Sequence, residues 1–269
     1  MGTHTRKERD FFKREHLILE VGAQSLLEHG YLGLSMDRIA QEVEYSKGTV
    51  YQHFSSKEDL LAAMVLHTMD QRIALLEKAA TYPGRPRERL VALVEAEYVF
   101  YGLNPAQLRA AQLVRISSIL SKANPERRSA LQASETRCVG IINGIIRDGL
   151  ANGDLTLPPE ARVEQVTFGL VSIVVGFRFM LHSDIDLAHV GIPDPGTTAW
   201  RSVHALLDGY GWRPLSGDLD YQHTRMTARH MVMAGLPEGT EEKLSAASPW
   251  AASALNVPLA RPPGHAKGK

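Results

Sequence analysis

The sequence has a single cysteine, Cys138, in 269 residues, so it forms neither an internal disulfide nor a zinc site built on several cysteines. It also lacks any sustained alternation of apolar and polar residues, the pattern of a half-buried β-strand. The N-terminus has no apolar signal-peptide core, and the longest apolar run, Val166 to Phe177, falls short of the roughly 20 residues of a membrane span. We therefore expect an all-α cytoplasmic protein with no membrane partner, in which that run is a buried helix.

The formal net charge is zero, because 30 Lys and Arg balance 30 Asp and Glu. A zero balance argues against a general affinity for nucleic acid, but the distribution of charge matters more than the sum. Residues 45–57 contain two lysines, one histidine and no acid, and residues 6–14 carry five basic side chains against two acids. We expect modest non-specific affinity for nucleic acid, with specific contacts carrying more of the binding.

Common catalytic motifs are missing as well. The chain contains no G-x-S-x-G, H-E-x-x-H, C-x-x-C or glycine-rich phosphate loop, and Cys138 lies in an apolar helical segment without an obvious activating base. One cluster contains residue types that can ligate a metal: Asp218, Asp220, His223 and His230. Its spacing is more typical of ordinary polar residues than of a metal site. We predict that the protein is not an enzyme and that it holds no metal or cofactor.

The most informative segment that is present runs over residues 30–60. It predicts two short helices around a tight turn, followed by the start of a third helix. Ser35 stands at the N-cap position of the first. In the second, at about 47–54, Val50 and Phe54 point inward and the remaining side chains are polar. Two helices joined in this way form the helix-turn-helix that enters a DNA major groove.

This segment resembles the DNA-binding domain of the TetR (tetracycline-repressor) family of bacterial regulators, over roughly the first 65 residues. The residues that carry the resemblance are Ile18, Leu19, Gly30, Tyr31, Ser35, Ile39, Ala40, Ser46, Lys47, Gly48, Thr49, Val50, Tyr51, His53, Phe54, Lys57, Glu58 and Leu60. Three positions depart from the family pattern, where Gly22 replaces alanine, Glu44 replaces the turn glycine and Tyr45 replaces valine. If residue 44 is left-handed, glutamate costs about 1 kcal/mol relative to glycine.

The second short helix holds the candidate DNA contacts, at positions where the family makes its contacts. Lys47, Thr49 and Gln52 can reach base edges, and Gly48 allows a close approach to the groove. Phosphate contacts, which fix register without reading sequence, are predicted for Ser35, Tyr51, His53 and Lys57. The alternatives are a solvated polar helix and a core role for Tyr51. Residues 1–10 form a basic arm, which we expect to be flexible rather than bound in the minor groove.

Beyond this domain the periodicity predicts helices only. A long fourth helix, at about 56–80, completes the DNA-binding domain at 11–80, and a helical regulatory and dimerisation domain follows at 85–212. Residues 213–269 have the composition of an extended, largely disordered tail with a possible helix at 221–235. The expected fold is thus a three-helix helix-turn-helix domain followed by a helical ligand-binding and dimerisation domain.

The family dimerises through a four-helix interface, which the resemblance places on two apolar helices at about 159–182 and 197–210. The first carries small residues flanked by large ones, and the second has apolar residues on one face. Candidate interface residues are Gly169, Ser172, Ile173, Gly176, Trp200, Val203 and Leu207. The alternative is burial inside the monomer, because periodicity does not separate core from interface.

The resemblance also implies a cavity for a small-molecule effector. Candidate lining residues are apolar or aromatic, with one charge for an anion: Tyr98, Tyr101, Leu113, Arg115, Ile119, Phe168 and Met180. The alternative is plain core, or a solvated surface charge for Arg115. The implied function is a ligand-responsive repressor that binds a palindromic operator in double-stranded DNA as a homodimer. Two rival interpretations are an all-helical enzyme and an interaction adaptor whose helix-turn-helix is vestigial.

Overall fold

The computed structural model describes residues 6–181 and 185–247, and over those residues the regular secondary structure is helical, without a strand. This confirms the predicted all-α class. In chain order the helices are α1 (Arg6–Gly33), α2 (Met36–Glu42), α3 (Lys47–His53), α4 (Lys57–His67), α5 (Met69–Ala80), α6 (Pro86–Leu103), α7 (Pro105–Val114), α8 (Ser117–Leu120), α9 (Pro125–Ala151), α10 (Val163–Leu181), α11 (Pro195–Gly209), α12 (Tyr221–Met233) and α13 (Thr240–Ala247).

The described residues fall into two compact units. The first unit contains residues 6–71 and 104–136, and the second contains residues 72–103, 137–181 and 185–247. The predicted boundary at 80–85 therefore does not separate them, because α7, α8 and the start of α9 belong to the same unit as α1 to α4. Residues 6–10 of the predicted basic arm are the exposed first turn of α1, and residues 1–5 lie outside the described residues.

In the first unit, α1 to α4 share an apolar core to which each helix or its flanking residue contributes fully buried side chains: Ile18, Leu26, Ile39, Val50, Phe54, Leu60 and Leu61. Gly22 marks a close approach of α1 to α4, since a Cβ built there would lie 2.8 Å from Met64 Cε and 2.9 Å from Leu60 Cδ2. The alanine of the family pattern would require those side chains to shift, which gives the glycine a packing reason. Glu44 has φ of 55°, so the turn keeps a left-handed residue at a cost of about 1 kcal/mol.

The predicted fourth helix at 56–80 is two helices in the structure. Helix α4 ends at His67, Thr68 leaves the helical conformation with φ −107° and ψ 3°, and α5 begins at Met69. The break carries little signal in the sequence, because a β-branched threonine lowers helix propensity only slightly and the apolar spacing continues across it.

In the second unit, α6 is the most deeply buried helix, and α12 and α13 pack against it. The prediction of a largely disordered tail is therefore wrong for residues 213–247, whereas α12 lies where a possible helix was expected at 221–235. Tyr221, Ala228 and Val232 on α12 are fully buried. Composition misled because the prolines and glycines lie in the connections, leaving α12 an amphipathic helix. The remainder of the predicted tail, 248–269, lies outside the described residues.

Helix α10 is apolar but largely uncovered, because only 28% of its most apolar window is buried. The prediction of a buried helix is therefore wrong within this chain. Phe168 is 74% exposed and Phe179 is 59% exposed. By length and composition alone, α10 is the one helix in the described part of the chain that could cross a membrane, a test that helices of soluble proteins also pass.

Candidate nucleic-acid interface and ligand cleft

Helix α3 presents its polar residues to solvent because its ends and its apolar face are fixed. Ser46 caps the helix, its Oγ accepting a hydrogen bond from the Thr49 N–H at 3.1 Å. Val50 and the following Phe54 are fully buried and anchor the opposite face. The exposed residues are Lys47, Gly48, Tyr51 and Gln52, with Thr49 half-buried beside them. The residues predicted to read bases thus lie together on one helix.

The positive charge on this surface, that of Lys47, forms only a weak ion pair within the protein. Lys47 Nζ lies 2.6 Å from Asp37 Oδ2, and both side chains are more than half exposed, at 63% and 52%. An exposed ion pair contributes about 0–1 kcal/mol, so Lys47 can exchange Asp37 for an acceptor on DNA at small cost. Ser35 occupies the N-cap position of α2, but its side chain makes no capping hydrogen bond to that helix.

Two of the residues predicted to contact phosphate are engaged within the protein. His53 is 6% exposed, and its ring centroid lies 4.0 Å from that of Phe11. Burial lowers the pKa of His53, so a neutral, covered ring does not suit a phosphate contact. Lys57 Nζ donates a hydrogen bond to the Tyr31 carbonyl at 3.1 Å and lies 4.1 Å from the Tyr31 ring centroid. Both side chains thus make contacts within the protein, and their contacts with phosphate stay predictions.

Arg127, on the first turn of α9, is a site residue that the sequence did not indicate. Its Nη1 donates to Asp59 Oδ2 at 2.6 Å, and its Nη2 donates to the His53 carbonyl at 3.1 Å. It thereby connects α9 to the end of α3 and the start of α4. The separation in sequence, 68 residues to Asp59 and 74 to His53, left no local pattern to reveal it.

A cleft of about 720 Å³ lies in the same unit, between α4, α7, α8 and α9. Its apolar lining consists of Val65, Ala111, Val114, Leu120, Pro125 and Leu131. Its polar lining consists of Arg115, Arg128, Ser129, Gln132 and Glu135. This volume is in the range of small-molecule sites, about 300–1,000 Å³. Arg115 is the one residue of the predicted ligand set that lines it.

The other predicted ligand residues do not line this cleft, and their role stays a prediction. Tyr98 and Tyr101 are core residues of the second unit, and the Tyr98 ring centroid lies 5.7 Å from that of Trp200. Leu113 on α7 and Ile119 on α8 belong to the first unit without lining the cleft. The last two are exposed on α10: Phe168 and Met180.

The predicted dimer residues separate by helix. Trp200, Val203 and Leu207 on α11 are 2%, 3% and 0% exposed, so they belong to the core of the chain and their prediction as interface is wrong. The α10 residues are accessible, with Ser172 and Gly176 exposed and Gly169 and Ile173 half-buried. Periodicity alone did not distinguish the two helices, since both carry apolar faces.

Comparison with known proteins bears directly on this helix-turn-helix. The family model described as bacterial regulatory proteins, tetR family, matches residues 18–64. This match identifies residues 18–64 as a TetR-family helix-turn-helix domain. Domains of this family bind DNA in transcription regulation, and the relatives that the chain matches are transcriptional regulators.

The similarity of this chain to individual proteins extends beyond residues 18–64. It is 23% identical over 171 residues to the fatty acid metabolism regulator protein of Bacillus subtilis (strain 168), covering 63% of this chain and 86% of the relative. A tetR-family regulatory protein from Rhodococcus RHA1 superposes with a TM-score of 0.57 at 23% identity, covering 74% and 97% of the two chains. FadR from Bacillus subtilis, solved with stearoyl-CoA, superposes with a TM-score of 0.54 at 19% identity. The superposition covers 72% of this chain and 98% of FadR. These structures confirm the fold, a helix-turn-helix domain followed by a helical domain.

Proposed function

We propose that this chain is a cytoplasmic repressor that binds a palindromic operator as a homodimer and is released by a small-molecule effector. The observation that carries the proposal is the exposed face of α3, where Lys47, Thr49 and Gln52 stand on a helix anchored by Val50 and Phe54. Lysine suits guanine O6 and N7, glutamine suits adenine, and the threonine methyl suits thymine. The pairing of Lys47 with Asp37 costs little to release.

The first experiment selects binding fragments from a genomic DNA library and compares variants on the recovered operator. We expect Gln52→Ala to cost about 1–3 kcal/mol of specific binding and to relax the base preference, with little effect on random DNA. Gln24→Ala, at an exposed glutamine on α1, is the matched control. Equal losses on operator and random DNA for Gln52→Ala would show that this residue does not read bases.

Helix α10 supports the homodimer. Its uncovered apolar side chains, Phe168 and Phe179, flank small residues that permit close helix approach. A contiguous exposed apolar patch of this kind marks an interaction surface. A two-fold dimer through α10 presents two copies of α3, so the operator is expected to be a palindrome with half-sites one helical turn, or a multiple of it, apart. A single-subunit mass at micromolar concentration would contradict the homodimer.

The cleft in the first unit supports an effector that is an amphipathic anion. Its apolar lining suits a hydrocarbon segment, and Arg115 and Arg128 outnumber Glu135 among its charges. Arg115 Nη2 lies 3.8 Å from Glu135 Oε1 with both side chains over a third exposed, so this pair is loosely held. FadR of Bacillus subtilis was solved with stearoyl-CoA, a ligand of this chemical class.

Thermal unfolding with stearoyl-CoA, and with choline as a cationic control, tests the effector class. A ligand at 100 times its Kd stabilises the folded state by about 2.7 kcal/mol. We therefore expect stearoyl-CoA to raise the Tm and to release the operator, and choline to do neither. Stabilisation by choline alone would refute the anionic class. Transcription in vitro from the operator-bearing promoter should rise when the protein is omitted, which distinguishes repression from activation.

A further inference from the structure

The first two turns of α9 face two sites at once. Residues spaced i, i+3, i+4 and i+7 line the ligand cleft: Pro125, Arg128, Ser129 and Gln132. The intervening Glu126 and Arg127 line a smaller cavity of about 310 Å³, together with Tyr51, Gln52 and His53 at the end of α3. The same short piece of helix therefore touches both the candidate effector site and the DNA-reading helix, and all of these residues belong to the first unit.

Arg127 makes the direct contact with α3. The last carbonyls of a helix have no partner within it, and the guanidinium supplies one at 3.1 Å to the His53 carbonyl. A positive charge at a helix C-terminus is also favoured by the helix dipole. Arg127 Cζ lies 5.0 Å from the ring centroid of Phe54, which is the C-cap residue of α3. Both the backbone and the cap of the reading helix are thus held from α9.

Asp59 fixes the other end of this contact. Its side chain is 1% exposed, and it accepts hydrogen bonds from the Ser55 N–H at 2.9 Å, the Asn124 N–H at 2.9 Å and Arg127 Nη1 at 2.6 Å. Burial raises the pKa of Asp59, but these hydrogen bonds and the charge of Arg127 outweigh it and leave the pKa below its ordinary value. The carboxylate is therefore ionised, and Arg127 is the cation that lies against it.

We propose that Arg127 is a positioning residue that couples the cleft to the DNA-reading helix. Its hydrogen bonds to Asp59 and to the His53 carbonyl hold the end of α3 in the orientation that reads DNA. A ligand that displaces the first turn of α9 breaks these hydrogen bonds and releases α3. The inference rests on the proposed function for the identity of the two sites, whereas the contact itself involves neither DNA nor effector.

Hydrogen exchange followed by mass spectrometry tests the contact on the full-length chain. In Arg127→Met, exchange across residues 47–56 is expected to rise at least tenfold, while α6 and α12 keep wild-type rates. Arg127→Lys retains the charge against Asp59 but not the forked donor, so its exchange rate across residues 47–56 should lie between those of wild type and Arg127→Met. It replaces Arg127→Met in the test if that variant does not fold. Arg137→Met is the matched control, because Arg137 lies on the same helix and forms an exposed ion pair with Glu77. Unchanged exchange at 47–56 in both Arg127 variants overturns the proposal.

Coupling is tested without a known ligand by filling the cleft with a side chain. Ser129→Trp places an indole in the cleft and should raise exchange at 47–56, and Arg127→Met should add nothing further in the double variant, because both act through one contact. Additive effects overturn the coupling.

DNA binding separates this inference from the proposed function. On the selected operator, Arg127→Met should lose about tenfold to a hundredfold in affinity, with random DNA unchanged. Wild-type affinity in this variant overturns the positioning role. If the wild-type chain selects no DNA, the proposed function fails. The hydrogen-exchange experiment on the Arg127 and Ser129 variants still shows whether Arg127 couples the cleft to α3.

Discussion

Acidification should destabilise the second unit through one buried histidine. His204 on α11 is 3% exposed, and within the described part of the chain neither ring nitrogen has a hydrogen-bond partner. Its ring centroid lies 4.9 Å from that of Tyr221 and 6.0 Å from that of Trp200. Burial, with the charge of Arg87 adding to it, lowers the pKa of His204 from 6.5 to about 4.

The sign and the size of the effect follow from this difference. The unfolded chain takes up a proton at His204 as pH falls through 6.5, whereas the folded chain does not until pH reaches about 4. The free energy of unfolding therefore decreases progressively as pH falls from 6.5 to about 4. Below about pH 4, His204 causes no further decrease. One pKa unit corresponds to about 1.4 kcal/mol, so the total loss is about 3 kcal/mol.

Urea unfolding between about pH 7 and about pH 4.5 measures this loss. His53 acts in the same direction because burial lowers its pKa also, so the contribution of His204 is the difference between wild type and His204→Phe. That variant keeps an aromatic ring beside Trp200 and Tyr221 and removes the titration. His223→Phe, at an exposed position on α12, is the matched control and should keep the wild-type pH dependence. Identical pH dependence in wild type and His204→Phe would refute the reasoning.

Two further substitutions test the structure at single residues. Glu95 is fully buried and accepts hydrogen bonds from Arg225 and Arg229, so Glu95→Gln should lose about 3–5 kcal/mol in urea unfolding by leaving buried cations uncompensated. Glu77→Gln, which removes an exposed pair, should lose less than about 1 kcal/mol, and comparable losses would contradict the buried network. Glu44→Gly should gain about 1 kcal/mol, because φ is 55° at this position, and a lower Tm would show that the turn is not left-handed.

The helix-turn-helix was predictable because its determinants are local. The cap at Ser46 and the inward spacing of Val50 and Phe54 define α3 within nine residues, and the structure places them as the sequence predicts. The sequence predicts a cost of about 1 kcal/mol at Glu44 if this residue is left-handed, and its φ is 55° in the structure. Short-range hydrogen bonds and helical periodicity are sufficient for features of this kind.

What escaped prediction depends on partners distant in the chain. In the sequence, nothing distinguishes Arg127 from the other arginines. Only the fold places it beside Asp59 and the end of α3. Helices α10 and α11 have similar apolar faces, yet the fold covers Trp200 on α11 and leaves Phe168 on α10 open. Burial is decided by which helices pack together, and a single helix pattern does not contain that information.

Two carboxylates on α6 bind arginines from three other helices of the second unit. Glu95 accepts hydrogen bonds from Arg225 and Arg229 on α12, while Glu97, two residues later, bonds Arg72 and Arg178. Residues two apart on a helix point in different directions, so α6 binds α12 on one side and α5 and α10 on another.

Such buried ion pairs cost desolvation, so their contribution lies less in net stability than in penalising any arrangement that leaves one charge unpaired. For Glu97, burial raises the pKa, but Arg72 and Arg178 outweigh it and lower the pKa to about 2. This carboxylate therefore stays ionised throughout the pH range in which His204 titrates. Its own linked loss of stability begins only as pH falls through 4.5, where the unfolded carboxyl takes up a proton, so at higher pH the loss comes from His204 together with His53.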